Sequence, residues 1–234
     1  MAGNVFVGSD WHLFHKKAAA WRGFKSVEEH NDWVVSTAIE SIGSRDSLIL
    51  GGDVNFGTAQ QFDALLKRHM GTKFHHTLRQ IGHPTEDPKY LELKLTFVMP
   101  FTIKNTMGNH DRNRITESKC IASHHGSLEY GFKTHARTLR KMNDPFDKLY
   151  VGGEASTNAN CVFTHIPVHP ECMTRWTYNI HGHTHSGIID NPLYINSCVE
   201  TIREINESSV IRVDELINLH EAKWGIDWDT RQRK

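Results

Sequence analysis

Five short stretches of this 234-residue chain carry side chains that ligate metal ions: Asp10-Trp11-His12, Asp53 behind Gly51-Gly52, Asn109-His110-Asp111, His165, and His183-Thr184-His185. Each stands where an extended run gives way to a polar loop. Carboxylate and amide oxygens favour hard divalent cations, whereas imidazole nitrogen suits manganese, iron, nickel or zinc. The mixed oxygen and nitrogen set therefore points to a pair of transition-type ions rather than calcium, with one carboxylate able to bridge them. In an extended segment Asp10 and His12 face the same way and can grip one ion together, and His183 with His185 repeats that spacing.

Singly, none of these residues is informative. An isolated Asp10, Asp53 or Asp111 more commonly closes a turn or caps a helix. The chain has 17 histidines, so His165 alone says little, and His183 with His185 reads equally well as a polar turn around Gly182. The combination carries the argument, because all the groups fall at the ends of strand-like runs.

Those runs define the elements that must position the ligands. Val5 to Gly8 is a short apolar strand ending on Ser9-Asp10, and Leu48-Ile49-Leu50 leads through Gly51-Gly52 to Asp53. Between them, a basic and aromatic loop from Trp11 to Lys25 precedes a helix over Val27 to Ile42. Ser26 and Glu29 form its capping box, Gly43 stops it, and Val27, Val34, Ala38, Ile39 and Ile42 make its inner stripe. A second helix is expected over Gln60 to Met70, with Phe62, Leu65, Leu66 and Met70 inward. Leu91 to Phe97 alternates as a half-exposed strand, and Thr102 to Met107 must be a strand if Gly108 to Asp111 is a strand-end loop. Cys161 to Thr164, Tyr178 to Ile180 and Leu193 to Ile195 are further short strands with polar ends. Near the C-terminus Ser209 to Val213 alternates, Asp214 is placed to cap a short helix, and 228–234 reads as a frayed tail. Strands interleaved with helices, without repeat or linker, indicate one layered α/β domain over 1–234.

Composition narrows the function classes. Lys plus Arg and Asp plus Glu are 27 each, so no overall field draws the chain to a polyanion; nucleic acid remains open as a substrate without being indicated by charge. The first residues lack a basic segment followed by an apolar run, and no apolar stretch approaches 18 residues, which argues against export and membrane partners. Cys120, Cys161, Cys172 and Cys198 show no C-x-x-C spacing, as expected of a cytoplasmic protein. Oligomeric state is not encoded in any of these features.

The five blocks resemble, in order, the motifs D-x-H, G-D, G-N-H-[DE], H and G-H-x-H of the calcineurin-like metallophosphoesterase superfamily. Here they stand as Asp10-Trp11-His12, Gly52-Asp53, Gly108-Asn109-His110-Asp111, His165 and Gly182-His183-Thr184-His185. A narrower resemblance to small phage and bacterial members lies in Ser9 to His12 with Phe14-His15, in Trp21 to Asn31, and in His165-Ile166-Pro167. The resemblance implies a four-layer α-β-β-α sandwich of two packed mixed sheets. It also implies two divalent ions, Mn2+ foremost with Ni2+, Fe2+/Fe3+ or Zn2+ as alternatives. The first ion would take Asp10, His12, Asp53 and His185, the second Asp53, Asn109, His165 and His183, with Asp53 as the bridge. The stretch from 72 to 100 is longer than in compact members and would shape the rim of the site.

The implied activity is hydrolysis of a small phosphoester, a phosphodiester first, by in-line attack of a hydroxide bridging two ions. His110 belongs to neither ligand set and sits beside Asn109, which makes it the candidate general acid. Asp111 would accept a hydrogen bond from its imidazole and favour the protonated form. Arg112, Arg114 and His15 are candidate substrate contacts. A nuclease of the same fold and a non-catalytic protein-binding scaffold are the alternatives; lost ligands would favour the scaffold, and none is missing.

Overall fold

The computed structural model describes residues 3–43, 45–58, 61–62, 64–70, 102–106, 148–150, 154–156, 160–174 and 176–226. The Leu91 to Phe97 strand, the rim segment 72–100, the tail 228–234, and Asn109, His110, Asp111, Arg112 and Arg114 lie outside the described residues.

Nine strands form two mixed sheets among the described residues: β1 (Val5–Gly8), β2 (Ser47–Leu50), β3 (Thr102–Thr106), β4 (Lys148–Tyr150), β5 (Glu154–Ser156), β6 (Cys161–Thr164), β7 (Tyr178–His181), β8 (Tyr194–Asn196) and β9 (Ile211–Arg212). The first sheet has the order β4-β3-β2-β1-β9 and the second β5-β6-β7-β8. Within each, the inner pairs are parallel and one edge strand, β9 or β5, runs antiparallel. The sheets pack between helices, so the expected α/β/β/α sandwich is the architecture.

Two-residue alternation decides which side chain enters which layer. From the first sheet Phe6, Leu48 and Leu50 turn outward to meet Val34, Val35, Ala38 and Ile39 of helix α2 (Val27–Ser41) and Ile42 just past its end. Val7 and Ile49 turn inward to meet Phe163, Tyr178, Ile180 and Ile195 of the second sheet. Helix α3 (Val199–Asn206) adds Ile202 to this inner core, and α4 (Val213–Trp224) adds Val213 and Leu216. The helical residues at 61–62 and 64–70 bury Phe62, Leu65 and Leu66 on the α2 side, as their spacing predicts.

Several local expectations need correction. The stretch from Trp11 to Lys25 is not all loop: Lys16–Trp21 forms a short helix, α1, which buries Ala18 and Ala19. Three consecutive alanines carry the highest helix propensity, but His15 at the N-cap makes no side-chain cap bond, so the usual start signal is missing. The capping box is displaced by one residue. The Glu29 amide donates to Ser26 Oγ at 3.1 Å, whereas the Glu29 carboxylate accepts from Lys25 N–H at 2.7 Å rather than from Ser26. Val27 is only half-buried, and α2 stops at Ser41 with Ile42 already extended. Of Ser209 to Val213, only Ile211–Arg212 pairs as a strand, and α4 starts at Val213 with Arg212 at its N-cap. Asp214 therefore sits inside the first turn, where Arg212 Nε donates to it at 2.9 Å.

No helix among the described residues is long and apolar enough to cross a membrane.

Candidate metal centre

Parallel strands deliver their carboxyl ends to one edge of the sandwich, the place where open α/β sheets present ligand sites. Asp10 follows β1, Asp53 follows β2, His165 follows β6, and His183 and His185 follow β7. Backbone hydrogen bonds knit the β1 and β2 loops side by side: Asp10 N–H donates to Gly52 O and His12 N–H to Asp53 O, both at 3.0 Å. Trp11, between the two ligands, is buried in the outer core and donates its indole N–H to Ser209 O at 3.2 Å. The loop is thereby pinned from the core side while Asp10 and His12 face the site.

These segments are not extended. Asp10, His12, Asp53, His183 and His185 have φ of 55°, 49°, 50°, 68° and 51°, all in the left-handed region. Asp and His visit that region more readily than most residues, yet each instance costs on the order of 1–3 kcal/mol and persists only where surrounding contacts enforce it. Asp10 and His12 do share a face, but through repeated left-handed turns rather than strand alternation. Gly182 makes a second close approach possible: a Cβ there would overlap Ser9 Oγ and Asp10 Oδ2. Without one, the His183 amide reaches Asp10 Oδ2 at 2.8 Å.

Two groups of three residues have ligand atoms all within 4.8 Å of one another: Asp10, His12 and His185, and Asp10, Asp53 and His165. Asp10 belongs to both. Its Oδ2 accepts from Ser9 Oγ at 2.5 Å, from the His183 amide, and from the Cys198 thiol at 3.3 Å. Oδ1 is buried without a hydrogen-bond partner among the described residues. It faces His12 Nε2 at 3.6 Å and His185 Nε2 at 4.0 Å. Those separations are too long for hydrogen bonds. They are the spacing of neighbouring ligands on one ion, since metal–ligand bonds of about 2.0–2.2 Å put adjacent donors roughly 3–4 Å apart. Asp53, of the second group, has its Oδ2 3.5 Å from His165 Nε2 and also 3.9 Å from His12 Nε2 of the first. Burial alone would raise the Asp10 carboxyl, but His12, the charge of His165, Ser9 and the His183 amide together hold it far below the usual carboxylate range.

Outer contacts fix the imidazoles. His165 Nδ1–H donates to Gly51 O at 2.8 Å, which leaves Nε2 directed at Asp53. His183 Nδ1 lies 3.3 Å from His165 Nε2, so the structure brings this pair together as well. His185 Nδ1–H donates to Glu200 Oε1 at 3.0 Å, a bond that raises the imidazole's affinity for a proton and orients its Nε2. His15 stands beside His12, their Nδ1 atoms 3.4 Å apart, and stacks on Phe56 at 4.4 Å.

Arg22, Glu200, Ser9 and Cys198 are site residues that lie outside the five ligand motifs. Glu200 lies in the first turn of α3 and accepts from Arg22 Nε and Nη2 at 2.9 and 2.7 Å. Burial favours its neutral form, but His185 and Arg22 outweigh this and keep the carboxyl lowered. Arg22 also donates to Asp10 O at 2.7 Å and Trp11 O at 2.9 Å, so one guanidinium braces both the ligand backbone and the carboxylate behind His185. Its remaining neighbour, His30 Nε2 at 2.9 Å, belongs to an imidazole pushed down to about 4 by burial and by Arg22. That ring is neutral near pH 7 and accepts from the guanidinium.

Replacing Glu200 by Gln should therefore weaken Mn2+ binding roughly 10–100-fold, the usual scale for a lost outer-shell partner, while the chain stays folded. Arg22→Lys should show a similar loss, because an ammonium cannot span a carboxylate and two carbonyls. Calorimetric titration of Mn2+ into each variant measures this; wild-type affinity in both would remove the pair from the site.

No family model matches the chain, and no curated protein is similar to it by sequence. A crystal structure of AQ665 from Aquifex aeolicus, described as a protein of unknown function, superposes with a TM-score of 0.53. The match covers 93% of this chain and 99% of that one at 16% identity. At that identity the likeness is one of fold.

Proposed function

We propose that this chain is a dinuclear metal-dependent phosphoesterase acting first on phosphodiesters. The observation that carries the reading is the buried Asp10 Oδ1, which lacks a hydrogen-bond partner among the described residues while facing the Nε2 atoms of His12 and His185. A lone carboxylate oxygen buried this way is costly unless it meets a charge. A divalent cation meets that need.

The donor set supports manganese, with nickel, iron or zinc as substitutes. Asp10, His12, Asp53 and His185 would hold one ion; Asp53, Asn109, His165 and His183 would hold the other. When bound, such a pair lowers the pKa of water and neutralises charge on the phosphoryl oxygens. Ser9, Cys198 and the His183 amide hold Asp10 Oδ2, and so leave Oδ1 to the ion. Gly51 and Glu200 fix the tautomers of His165 and His185. His110 would donate the proton to the departing oxygen, with Asp111 stabilising its protonated form, and His15, Arg112 and Arg114 would meet the substrate's edge. The motif order that resembles the calcineurin-like superfamily, and a fold of the same layered kind, support this assignment.

Hydrolysis of bis(4-nitrophenyl) phosphate by exhaustively chelated and by reloaded protein tests it. Activity should be nearly absent after chelation and return with Mn2+ or Ni2+. Full turnover at verified zero metal content would refute it.

A further inference from the structure

Trp21 ends α1 and is 59% exposed, although an indole has more apolar surface to gain from burial than any other side chain. Its neighbours are those of the centre. The ring stands edge-on to His185, centroids 5.4 Å apart at 75°, and edge-on to His15 at 6.3 Å and 89°. The His12 ring is 6.2 Å away. His12 and His185 share one ligand group, so anything bound to an ion there has this indole beside it.

A cleft of about 890 Å³ shares His185 and Trp21 with this place and is lined further by Trp33, Arg203, Glu204 and Glu207. Its size is that of a site for a small organic molecule. Its two arginines are engaged by protein groups. Arg22 is engaged by Glu200 at 2.7 Å. Arg203 stacks on Phe24 and Trp33 at 4.8 and 5.0 Å and donates to Arg22 O at 3.0 Å. Glu204 and Glu207, both exposed, line it as well, so three carboxylates with Glu200 face two guanidinium groups. A polynucleotide strand or a second phosphate lying along this cleft would meet those carboxylates. A flat group without negative charge would meet an aromatic wall and no like charge.

We infer that Trp21 is the stacking wall of a substrate subsite, and that the phosphoester carries a flat aromatic group, uncharged or cationic, on the His185 side of the centre. This rests on the phosphoesterase reading above. The stacked group gains contact with the indole face, while the exposed carboxylates of Glu204 and Glu207 select against anionic extensions and so favour a small molecule over a nucleic acid.

The test is calorimetric binding of two non-hydrolysable probes, phenylphosphonate and methylphosphonate, to the Mn2+-loaded full chain. Both offer the same anionic head, so their ratio isolates the organic group. Wild type should bind phenylphosphonate roughly tenfold more tightly, the scale of stacking on an aromatic side chain. Trp21→Ala should bring the ratio close to one with methylphosphonate affinity intact, and Trp21→Phe should keep most of the preference. 4-(Aminomethyl)phenylphosphonate should outbind 4-carboxyphenylphosphonate severalfold, a difference that shrinks in Glu204→Gln/Glu207→Gln. An unchanged phenyl-to-methyl ratio in Trp21→Ala overturns the subsite and leaves the phosphoesterase reading standing. Failure of wild type to bind either phosphonate overturns that reading and the subsite with it. Preference for the carboxylated probe overturns the assignment of an uncharged or cationic group.

Discussion

Asp53→Asn should cost the chain both ions and lower phosphodiester turnover by on the order of 10³ or more, at least the scale seen when one preorganised electrostatic contact is removed from a transition state. Asp53 Oδ2 lies between His12 Nε2 and His165 Nε2, at 3.9 and 3.5 Å, and its residue is buried. A bridging position needs anionic oxygen on both sides, and an amide offers one neutral oxygen and an NH2 group that repels cations. His12→Ala should behave differently, because His12 belongs to the first group alone, with Asp10 and His185, and its loss should empty mainly one position. Metal analysis beside turnover distinguishes the cases. Unchanged stoichiometry and rate in both variants would show that the ligands are assigned to the wrong side chains.

His110→Asn should keep both ions yet slow turnover by roughly 10²–10⁴, the contribution of a positioned general acid. The defect should shrink as the leaving group becomes more acidic. A nitrophenolate departs with little protonation, whereas an aliphatic alkoxide needs a proton as the bond breaks. The descending limb of the pH–rate profile should vanish from the variant while metal stays saturating. A His110 with only a structural role would alter stability or metal content and would show no trend with leaving-group pKa. Parallel rate plots for the two proteins across a leaving-group series, at equal metal content, would remove His110 from the acid role even if the variant were slow.

Much of the frame was legible because it is written locally. Val5–Gly8, Ser47–Leu50 and Cys161–Thr164 are short apolar runs bounded by polar residues, and the structure has strands over the same residues. Even polar Thr102–Thr106 is a strand, as the loop expected after it required. Ligand groups were legible for the same reason, since each stands at the end of such a run. What escaped is written between distant positions. Arg22 and Glu200 are 178 residues apart, and neither stands in one of the five ligand motifs; only the fold, which brings the end of α1 and the first turn of α3 beside the β1 loop, makes them one brace. Ser9 and Cys198 meet through a bridge between the ends of two strands in different sheets. The left-handed backbone at Asp10, His12, His183 and His185 also leaves no local signature, because none of these residues demands that conformation and tertiary contacts impose it. Asp214 was misread as a cap because its residue type fits, whereas pairing of Ile211 with Val7 brings Arg212 to the helix start instead.

The central claim is that two ions sit together at the edge where β1, β2, β6 and β7 end, and counting them is the most direct test. Protein stripped by chelation, reloaded with Mn2+ and freed of excess by dialysis should hold two ions per chain by elemental analysis. Its electron paramagnetic resonance spectrum should show exchange between neighbouring Mn2+ ions, a coupling that Asp53→Asn abolishes. A chain that retains no Mn2+, or holds two ions whose spectrum is that of isolated Mn2+, would contradict the account.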